Sequence, residues 1–233
     1  MPVKMRPGLT GNQLKLLAMA AMTVDHIGAY LLPQFLILRI LGRLSLPIYA
    51  YMIAEGCRHS RNRWRYFLRL LGLGLLCQIV NYLVTGSLYQ GVLITFSLAV
   101  LLIFPIDAFR RSADLPHGLL LAGSWIAVYF VCQGLPRLLP GTDFAIDYGF
   151  AGVMLPGLIY LGKTQRQRWL LLAAGLILLS LTLGGVQWWC LAALPLVGLY
   201  TGEKGKYPLG RMFYWYYPAH LAAIYGLGAL LEL

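Results

Sequence analysis

The chain has 233 residues, of which 59% are hydrophobic and 12% charged, against roughly 45–50% and 25% in ordinary soluble domains. A water-soluble fold of this composition would expose a large apolar surface, so the composition argues against a soluble enzyme and indicates an integral membrane protein. The formal net charge of +11 would suggest nucleic-acid binding in a soluble chain, but cytoplasmic loops and anionic headgroups account for it in a membrane protein. We therefore expect a lipid bilayer as a partner and no nucleic acid.

Nine apolar stretches predict nine transmembrane helices, with eight as the fallback count. The stretches lie at 14–32, 36–56, 66–84, 92–109, 117–134, 149–162, 169–184, 187–201 and 212–231. Those between 149 and 201 are shorter than the roughly 20 residues that a perpendicular crossing needs, so one of them could be re-entrant or part of a short hairpin. The predicted fold is an all-α, polytopic helix bundle that forms a single domain over residues 1–233.

Lysine and arginine residues concentrate at every second connection between the predicted helices. Cytoplasmic loops of membrane proteins carry an excess of these residues, so the pattern predicts the orientation of the chain. It places the N-terminus in the cytoplasm and the C-terminus outside. The first stretch is interpreted as a retained span rather than a cleaved signal, because Asp25 and His26 lie within it.

Charged groups are expected deep in the membrane, where a charge costs about 2.5–3.5 kcal/mol or more. Asp25 and His26 lie about 17 Å into the first stretch at 1.5 Å per residue. Arg39 and Arg43 are four residues apart in the second stretch and so share one helix face. Because Arg43 should reach a depth similar to that of Asp25, we predict an Asp25–Arg43 ion pair. Asp25 and His26 are about 100° apart around the helix and cannot simply share a face.

The histidines within the apolar stretches have a structural and a catalytic interpretation. A neutral imidazole can hydrogen-bond a neighbouring helix, but histidine also titrates near neutral pH and can take a proton from a nucleophile. Asp25 would then either orient His26 or pair with Arg43. In the last stretch Pro218 distorts the helix beside His220, and we expect His220 to face the same cavity as His26.

A basic cluster follows Glu55 at the end of the second predicted helix. Its members are Arg58, His59, Arg61, Arg63, Arg65 and Arg69. Anchoring at the membrane surface explains the positive charge but not the exclusive use of arginine over lysine, since the planar guanidinium fork also suits phosphate groups. Anchoring and the binding of a phosphate-bearing cofactor are therefore both open.

Two further features are interpreted structurally. The four cysteines are scattered, with no CxxC or Cys/His spacing, so neither a disulfide framework nor a metal site is expected. Asp147 precedes the sixth predicted helix and is interpreted as its N-cap rather than as a ligand for a cationic acceptor.

Three segments carry a resemblance to a known family. DHIG at 25–28, LGRLSLPIYAYMIAEGCRHSRNRWRYFLRL at 41–70 and FYWYYPAHL at 213–221 together resemble the TraX family, while 85–195 matches mainly in its span pattern and in DYG at 147–149. The family resembles membrane-bound acyltransferases, and its named member is associated with N-terminal acetylation of conjugative pilin. The resemblance implies transfer of an acetyl group from acetyl-CoA. It makes Asp25 and His26 the catalytic pair, places Arg43 and Glu55 in the core site, and completes that site with Tyr217 and His220.

The leading hypothesis is an acyl-CoA-dependent N- or O-acyltransferase in the bacterial inner membrane. His26 would be the general base, and the basic cluster together with Tyr217 would bind acetyl-CoA or another acyl-CoA. The acceptor is open between an amine and a hydroxyl, such as a pilin N-terminus or a cell-surface molecule. Direct transfer and a covalent acyl-histidine are both open as mechanisms.

Two other functions compete with this hypothesis. A small proton-coupled transporter or channel would use Asp25, His26, Arg43 and His220 as a relay, as buried acids and histidines often do. A transporter of this kind is also expected to contain an internal repeat with broken helices. The sequence shows no convincing repeat, which argues against this function. A non-catalytic assembly factor for a surface structure would not need charged residues deep in the membrane.

Overall fold

The computed structural model describes residues 8–206 and 209–231, and within them regular secondary structure is helical apart from two isolated bridges, Leu9–Tyr200 and Gln90–Ile146. The α-helices are α1 Gly11–Tyr30, α2 Leu36–Gly42, α3 Ser45–His59, α4 Arg63–Thr85, α5 Val92–Arg111, α6 Leu115–Tyr129, α7 Leu135–Leu138, α8 Gly149–Leu161, α9 Gln165–Leu183, α10 Leu194–Gly198 and α11 Gly210–Leu230. A π-helical turn, Phe130–Gly134, joins α6 to α7, and a 3₁₀ helix, Gly185–Ala193, precedes α10.

Five helical segments in the described part of the chain are long and apolar enough to cross a membrane. They are Leu36–His59, Arg63–Thr85, Val92–Arg111, Leu115–Leu138 and Gln165–Leu183, and Gly149–Leu161 and Gly185–Gly198 are shorter apolar segments. The prediction of an all-helical protein is confirmed, and these five helices are candidate membrane spans. Helices also coincide with each of the nine predicted stretches, whereas nine crossings and their orientation stay predictions.

The second predicted span is broken into α2 and α3 around Arg43 and Leu44. Pro47 explains the break, because its ring clashes with the carbonyl group four residues earlier, that of Arg43, and it has no N–H to donate there. The break turns the chain directly after Arg43 and so separates Arg39 and Arg43 from α3.

The first of two compact units comprises Met1–Met52 and Leu183–Leu233. Thr10 and Gln13 form a capping box at the start of α1, which satisfies amide groups that have no partner within the helix. Two glycines allow α1 and α2 to approach closely: a Cβ atom on Gly28 would lie 2.6 Å from Leu38 Cβ, and one on Gly42 would overlap the Asp25 side chain. This approach brings α2 against the deep polar residues of α1, and α11 packs on α1 as well.

The second compact unit comprises Ile53–Thr182. α5 is its central helix, with α4, α6 and α8 packed around it. Its core contains the buried residues Ile94, Ala99, Leu102, Val128, Cys132, Ile146 and Val153. The prediction that Asp147 caps α8 is wrong, because Tyr148, with a left-handed φ of 60°, occupies the N-cap position. The Asp147 carboxylate instead accepts a hydrogen bond from the Tyr89 hydroxyl at 2.7 Å.

Candidate active site

Two histidines from distant parts of the sequence meet in the first unit. His26 projects from α1 and His220 from α11, and 2.7 Å separates His26 Nδ1 from His220 Nε2. The ring centroids are 4.9 Å apart with 25° between the ring planes. His220 is 7% exposed, whereas His26 is only partly buried. The structure thus brings together the two histidines that the sequence suggested would share a cavity.

A backbone carbonyl group determines which nitrogen atoms of the neutral histidines carry protons. His220 Nδ1 lies 2.9 Å from the carbonyl oxygen of Tyr216, and because that oxygen can only accept, Nδ1 must be the protonated nitrogen. His220 Nε2 is then an acceptor in the neutral ring, so His26 donates to it through Nδ1–H. His26 Nε2 is left with its lone pair, and no described residue forms a hydrogen bond with it.

Aromatic side chains surround the histidine pair. The Tyr216 ring lies parallel to that of His220 at 5.2 Å, and the Tyr216 hydroxyl is 2.6 Å from the Thr23 hydroxyl on α1. Tyr217 meets His220 edge-on at 5.5 Å and His26 at 6.5 Å. Sequence reasoning missed Tyr216 and Thr23. Helical spacing was the available signal, since residues three and four positions before a helical residue share its face.

An ion group holds Asp25 on another side of α1. Arg43 Nη2 lies 2.6 Å from Asp25 Oδ1, which confirms the predicted pair, and Arg39 Nη1 lies 2.9 Å from Asp25 Oδ2. Among the described residues, the Asp25 carboxylate accepts hydrogen bonds from these two arginines alone, so it does not orient His26. Arg43 also donates to Gln187 Oε1 at 3.3 Å.

Glu55 belongs to a separate ion group in the second unit. Glu55 is 5% exposed and its carboxylate pairs with Arg168, while Arg58 Nε lies 3.8 Å and His59 Nε2 3.6 Å from its oxygens. These contacts neutralise a buried carboxylate, and without partners its burial would be costly. Glu55 thus has a structural role in the second unit, whatever further role it takes.

The basic cluster divides into bound and exposed arginines. Arg58 Nη2 donates to the carbonyl oxygens of Tyr160 and Gly162, both at 2.5 Å, where cationic side chains stabilise the C-terminal end of α8. Arg63 pairs with Asp107 and donates to the Cys57 carbonyl oxygen at 2.6 Å. The side chains that remain exposed are those of His59, Arg61, Arg65 and Arg69. The exposed members are the ones available to a phosphate-bearing ligand.

No metal centre emerges from residues 8–206 and 209–231: no group of three or more His, Cys, Asp or Glu side chains there is placed to hold an ion. None of the four cysteines forms a disulfide bond, and three of them are buried.

The sequence of the chain is similar to a known protein family and to two relatives. A family model described as TraX protein matches residues 10–228. The chain is 31% identical to the probable fimbrial assembly protein FimC, serogroup H1, of Dichelobacter nodosus, and the match covers 91% of this chain and 93% of that protein. A shorter match, 53% identical over 16% of this chain and 15% of the other, is to the uncharacterized protein RP591 of Rickettsia prowazekii. No solved structure matches the chain.

Proposed function

The chain belongs to the TraX family, and from its paired histidines we propose that it transfers an acyl group, as acetyl from acetyl-CoA, to an amine or a hydroxyl acceptor. The observation that carries the proposal is the ordered chain from the Tyr216 carbonyl oxygen through His220 to His26. It leaves a lone pair on a partly accessible imidazole nitrogen, which is what a general base needs.

The residues suggest the following course of reaction. The acceptor nitrogen or oxygen attacks the thioester carbonyl carbon and passes its proton to His26 Nε2. The carbon–sulfur bond then breaks as the tetrahedral intermediate collapses, and His26 returns the proton to the departing thiolate of CoA. During the interval in which His26 is cationic, its Nδ1–H continues to donate to His220 Nε2. His220 is therefore a positioning residue that keeps the base oriented and in the right tautomer.

The exposed arginines are the proposed contacts of the CoA phosphates. Arg61, Arg65 and Arg69 are exposed and carry forks that match phosphate oxygens. Arg58 and Arg63 were equally good candidates in the sequence, but their guanidinium groups already bind carbonyl and carboxylate oxygens. They therefore support the shape of the cluster rather than contribute its accessible charge.

The apolar helices and the pattern of basic residues support a proposal for the cellular setting. We place the protein in the bacterial inner membrane as a multi-pass protein with nine crossings, a cytoplasmic N-terminus and an external C-terminus. The name of the Dichelobacter relative refers to fimbrial assembly, which favours a pilin N-terminus or another cell-surface molecule as the acceptor.

A proton relay through Asp25, His26, Arg43 and His220 is less well supported. The Asp25 carboxylate is held by two guanidinium groups, and a guanidinium group does not release its proton in proteins. Both oxygens of this carboxylate already accept hydrogen bonds from guanidinium groups, so it is poorly placed to pass protons on. The transfer reaction requires only the two histidines to exchange or hold protons.

The test uses the purified protein in lipid nanodiscs with radiolabelled acetyl-CoA. The acceptor probes are a synthetic peptide with a free N-terminal amine and a matched peptide with a blocked amine and a serine hydroxyl. Release of CoA thiol and label in the peptide are both measured. His26→Ala should slow transfer by about 10²- to 10⁴-fold because the base is lost, and His220→Ala should slow it less because that ring only positions the base.

His117→Ala is the matched control, because His117 lies at the exposed start of α6 and bonds only with Asp114 among the described residues. A folded His26→Ala protein with more than about a tenth of wild-type activity would exclude His26 as the base, because base catalysis is worth more than that. Incubation with acetyl-CoA and no acceptor separates the two mechanisms: label on the protein indicates an acyl-histidine, and its absence supports direct transfer.

A further inference from the structure

Two hydrogen-bonded contacts, about one helical turn apart, join α1 to α11. In the imidazole contact, His26 on α1 meets His220 on α11 at 2.7 Å. In the hydroxyl contact, Thr23 on α1 meets Tyr216 on α11, with 2.6 Å between the two hydroxyl oxygens. The hydroxyl contact precedes the imidazole contact by three residues on α1 and by four on α11, which corresponds to about 4.5 and 6 Å along the helix axes. The two contacts therefore lie side by side between helices that run in the same direction.

The direction of the hydrogen bond in the hydroxyl contact can be assigned. Thr23 Oγ1 donates to the carbonyl oxygen of Met19, 3.0 Å away on the same helix. A hydroxyl group has a single hydrogen to donate, so the Tyr216 hydroxyl must be the donor to Thr23. Tyr216 thus donates from α11 to α1, while His26 donates from α1 to α11.

Tyr216 also binds His220 through two other groups. Its carbonyl oxygen lies 2.9 Å from His220 Nδ1, and its ring lies parallel to the imidazole, with 5.2 Å between the ring centroids and 9° between the planes. The hydroxyl group of the same residue is bound to Thr23. Tyr216 therefore links the orientation of the His220 ring to α1, the helix that carries His26.

Pro218 weakens α11 between Tyr216 and His220. It lies inside the helix, where it has no N–H to donate and its ring distorts the preceding turn. Helical hydrogen bonds alone therefore hold His220 less firmly than they would in an uninterrupted helix. One contact between two helices lets them pivot about it, whereas two contacts a turn apart also restrain rotation and sliding. The hydroxyl contact supplies this second restraint.

We infer, on the basis of the function proposed above, that Tyr216 is a positioning residue of the transfer reaction. Its hydroxyl group, bound to Thr23, holds α11 where His220 Nε2 accepts from His26 Nδ1–H. That hydrogen bond keeps the proton of His26 on Nδ1 and the lone pair on Nε2, which takes the proton of the acceptor. Without the hydroxyl contact, the base loses its fixed orientation and tautomer.

The first test compares Tyr216→Phe, Thr23→Val and Thr23→Ser with the wild type in nanodiscs, with acetyl-CoA and the free-amine peptide as probes. Tyr216→Phe keeps the stacked ring and the carbonyl group and removes only the hydroxyl. It should lower kcat by about 10-fold, as should Thr23→Val, because a displacement of 1 Å can cost about 100-fold. The KM for acetyl-CoA should not change. Thr23→Ser keeps the hydroxyl acceptor and should retain most of the wild-type rate.

Two matched substitutions control for the chemical change itself. Tyr82→Phe removes the hydroxyl of an exposed tyrosine on α4. Thr182→Val removes a helical hydroxyl that bonds only with the Leu179 carbonyl oxygen among the described residues. Both variants should keep the wild-type kcat.

A double-variant comparison tests whether Tyr216 acts through His220. In a His220→Ala background, Tyr216→Phe should lower kcat by less than about twofold further, because the ring that Tyr216 positions is already absent. A general loss of stability would instead lower the yield and the unfolding midpoint in both backgrounds, without altering kcat per folded molecule.

A spectroscopic measurement follows the histidine pair without any turnover. ¹⁵N-labelled histidine is introduced into a His59→Gln, His117→Gln protein, in which His26 and His220 are the only histidines left. Scalar coupling between the nitrogens across the N–H···N hydrogen bond should be present with Tyr216 and should fall to less than half in Tyr216→Phe. A merely structural role would leave this coupling unchanged in the folded protein.

The outcomes separate this inference from the proposed function. With an active wild type, an unchanged kcat in Tyr216→Phe, an equal loss in the His220→Ala background, or an unchanged nitrogen–nitrogen coupling would each overturn the role of Tyr216. A wild-type protein that acetylates neither peptide would instead overturn the proposed function, and this inference with it.

Discussion

The buried ion group on α1 gives a prediction about stability that does not depend on the reaction. Asp25→Asn removes the carboxylate and leaves both arginines without their anionic partner, and one of them, Arg43, is 9% exposed. Arg43→Met leaves Asp25 Oδ1 without its donor, although Arg39 still binds the other oxygen. Each single change should therefore destabilise the protein, and the loss in the double variant should be smaller than the sum of the two single losses.

The contacts determine the size of each effect. Breaking a buried pair by removal of one partner costs about 3–5 kcal/mol, and this range applies to Asp25→Asn because the short contact to Arg43 is buried. Arg43→Met should cost less, because Arg39 still compensates the charge of Asp25. Arg39→Met should cost about 1 kcal/mol or less, because its pair with Asp25 is partly exposed. The Asp25→Asn, Arg43→Met double variant should be more stable than the sum of its single changes predicts, by about 0.5–3 kcal/mol.

The free energy of unfolding can be measured in mixed micelles by titration with a denaturing detergent, followed by tryptophan fluorescence and circular dichroism. The four proteins of the double-mutant cycle are compared at one ionic strength, and Arg39→Met is measured beside them. Additivity within about 0.5 kcal/mol would show that Asp25 and Arg43 do not interact energetically and would refute the reasoning from their distance.

Two further predictions concern the basic cluster and the membrane. Arg61→Gln with Arg65→Gln should raise the KM for acetyl-CoA and weaken its salt dependence, measured from initial rates between low and moderate salt, because exposed phosphate contacts are screened; an unchanged KM in a well-inserted double variant would assign these residues to anchoring. A periplasmic phosphatase reporter fused at the C-terminus should be active and one fused at Arg61 inactive, and the reverse activities would contradict both the nine crossings and the cytoplasmic basic cluster.

Several features of the fold and site were accessible from the sequence because they depend on position along a helix. Hydropathy locates the helices, and the rise of 1.5 Å per residue places Asp25 and Arg43 at similar depth, which predicted their contact. The 100° between Asp25 and His26 likewise predicted separate environments, and the two side chains do have different partners. The break before α3 was also accessible, since Pro47 cannot accept an uninterrupted helix through Arg43.

Other features depended on which helices pack together. His26 and His220 are 194 positions apart, and their 2.7 Å contact exists only because α11 packs on α1. The second guanidinium on Asp25 required the close approach of α1 and α2 at Gly28 and Gly42. No local pattern encodes such neighbours, because a helix exposes several faces and the sequence does not specify which face meets which partner.

The basic cluster also shows the difference between what the sequence determines and what tertiary packing determines. Composition showed that Arg58, Arg61, Arg63, Arg65 and Arg69 form a positive segment, but their charges look equivalent along the chain. Tertiary structure distinguishes them, since the C-terminal carbonyl groups of α8 and the Asp107 carboxylate come within reach of Arg58 and Arg63. Buried acceptors that water cannot reach need a protein donor, and a nearby guanidinium group supplies it. Packing between distant segments determines where those acceptors lie.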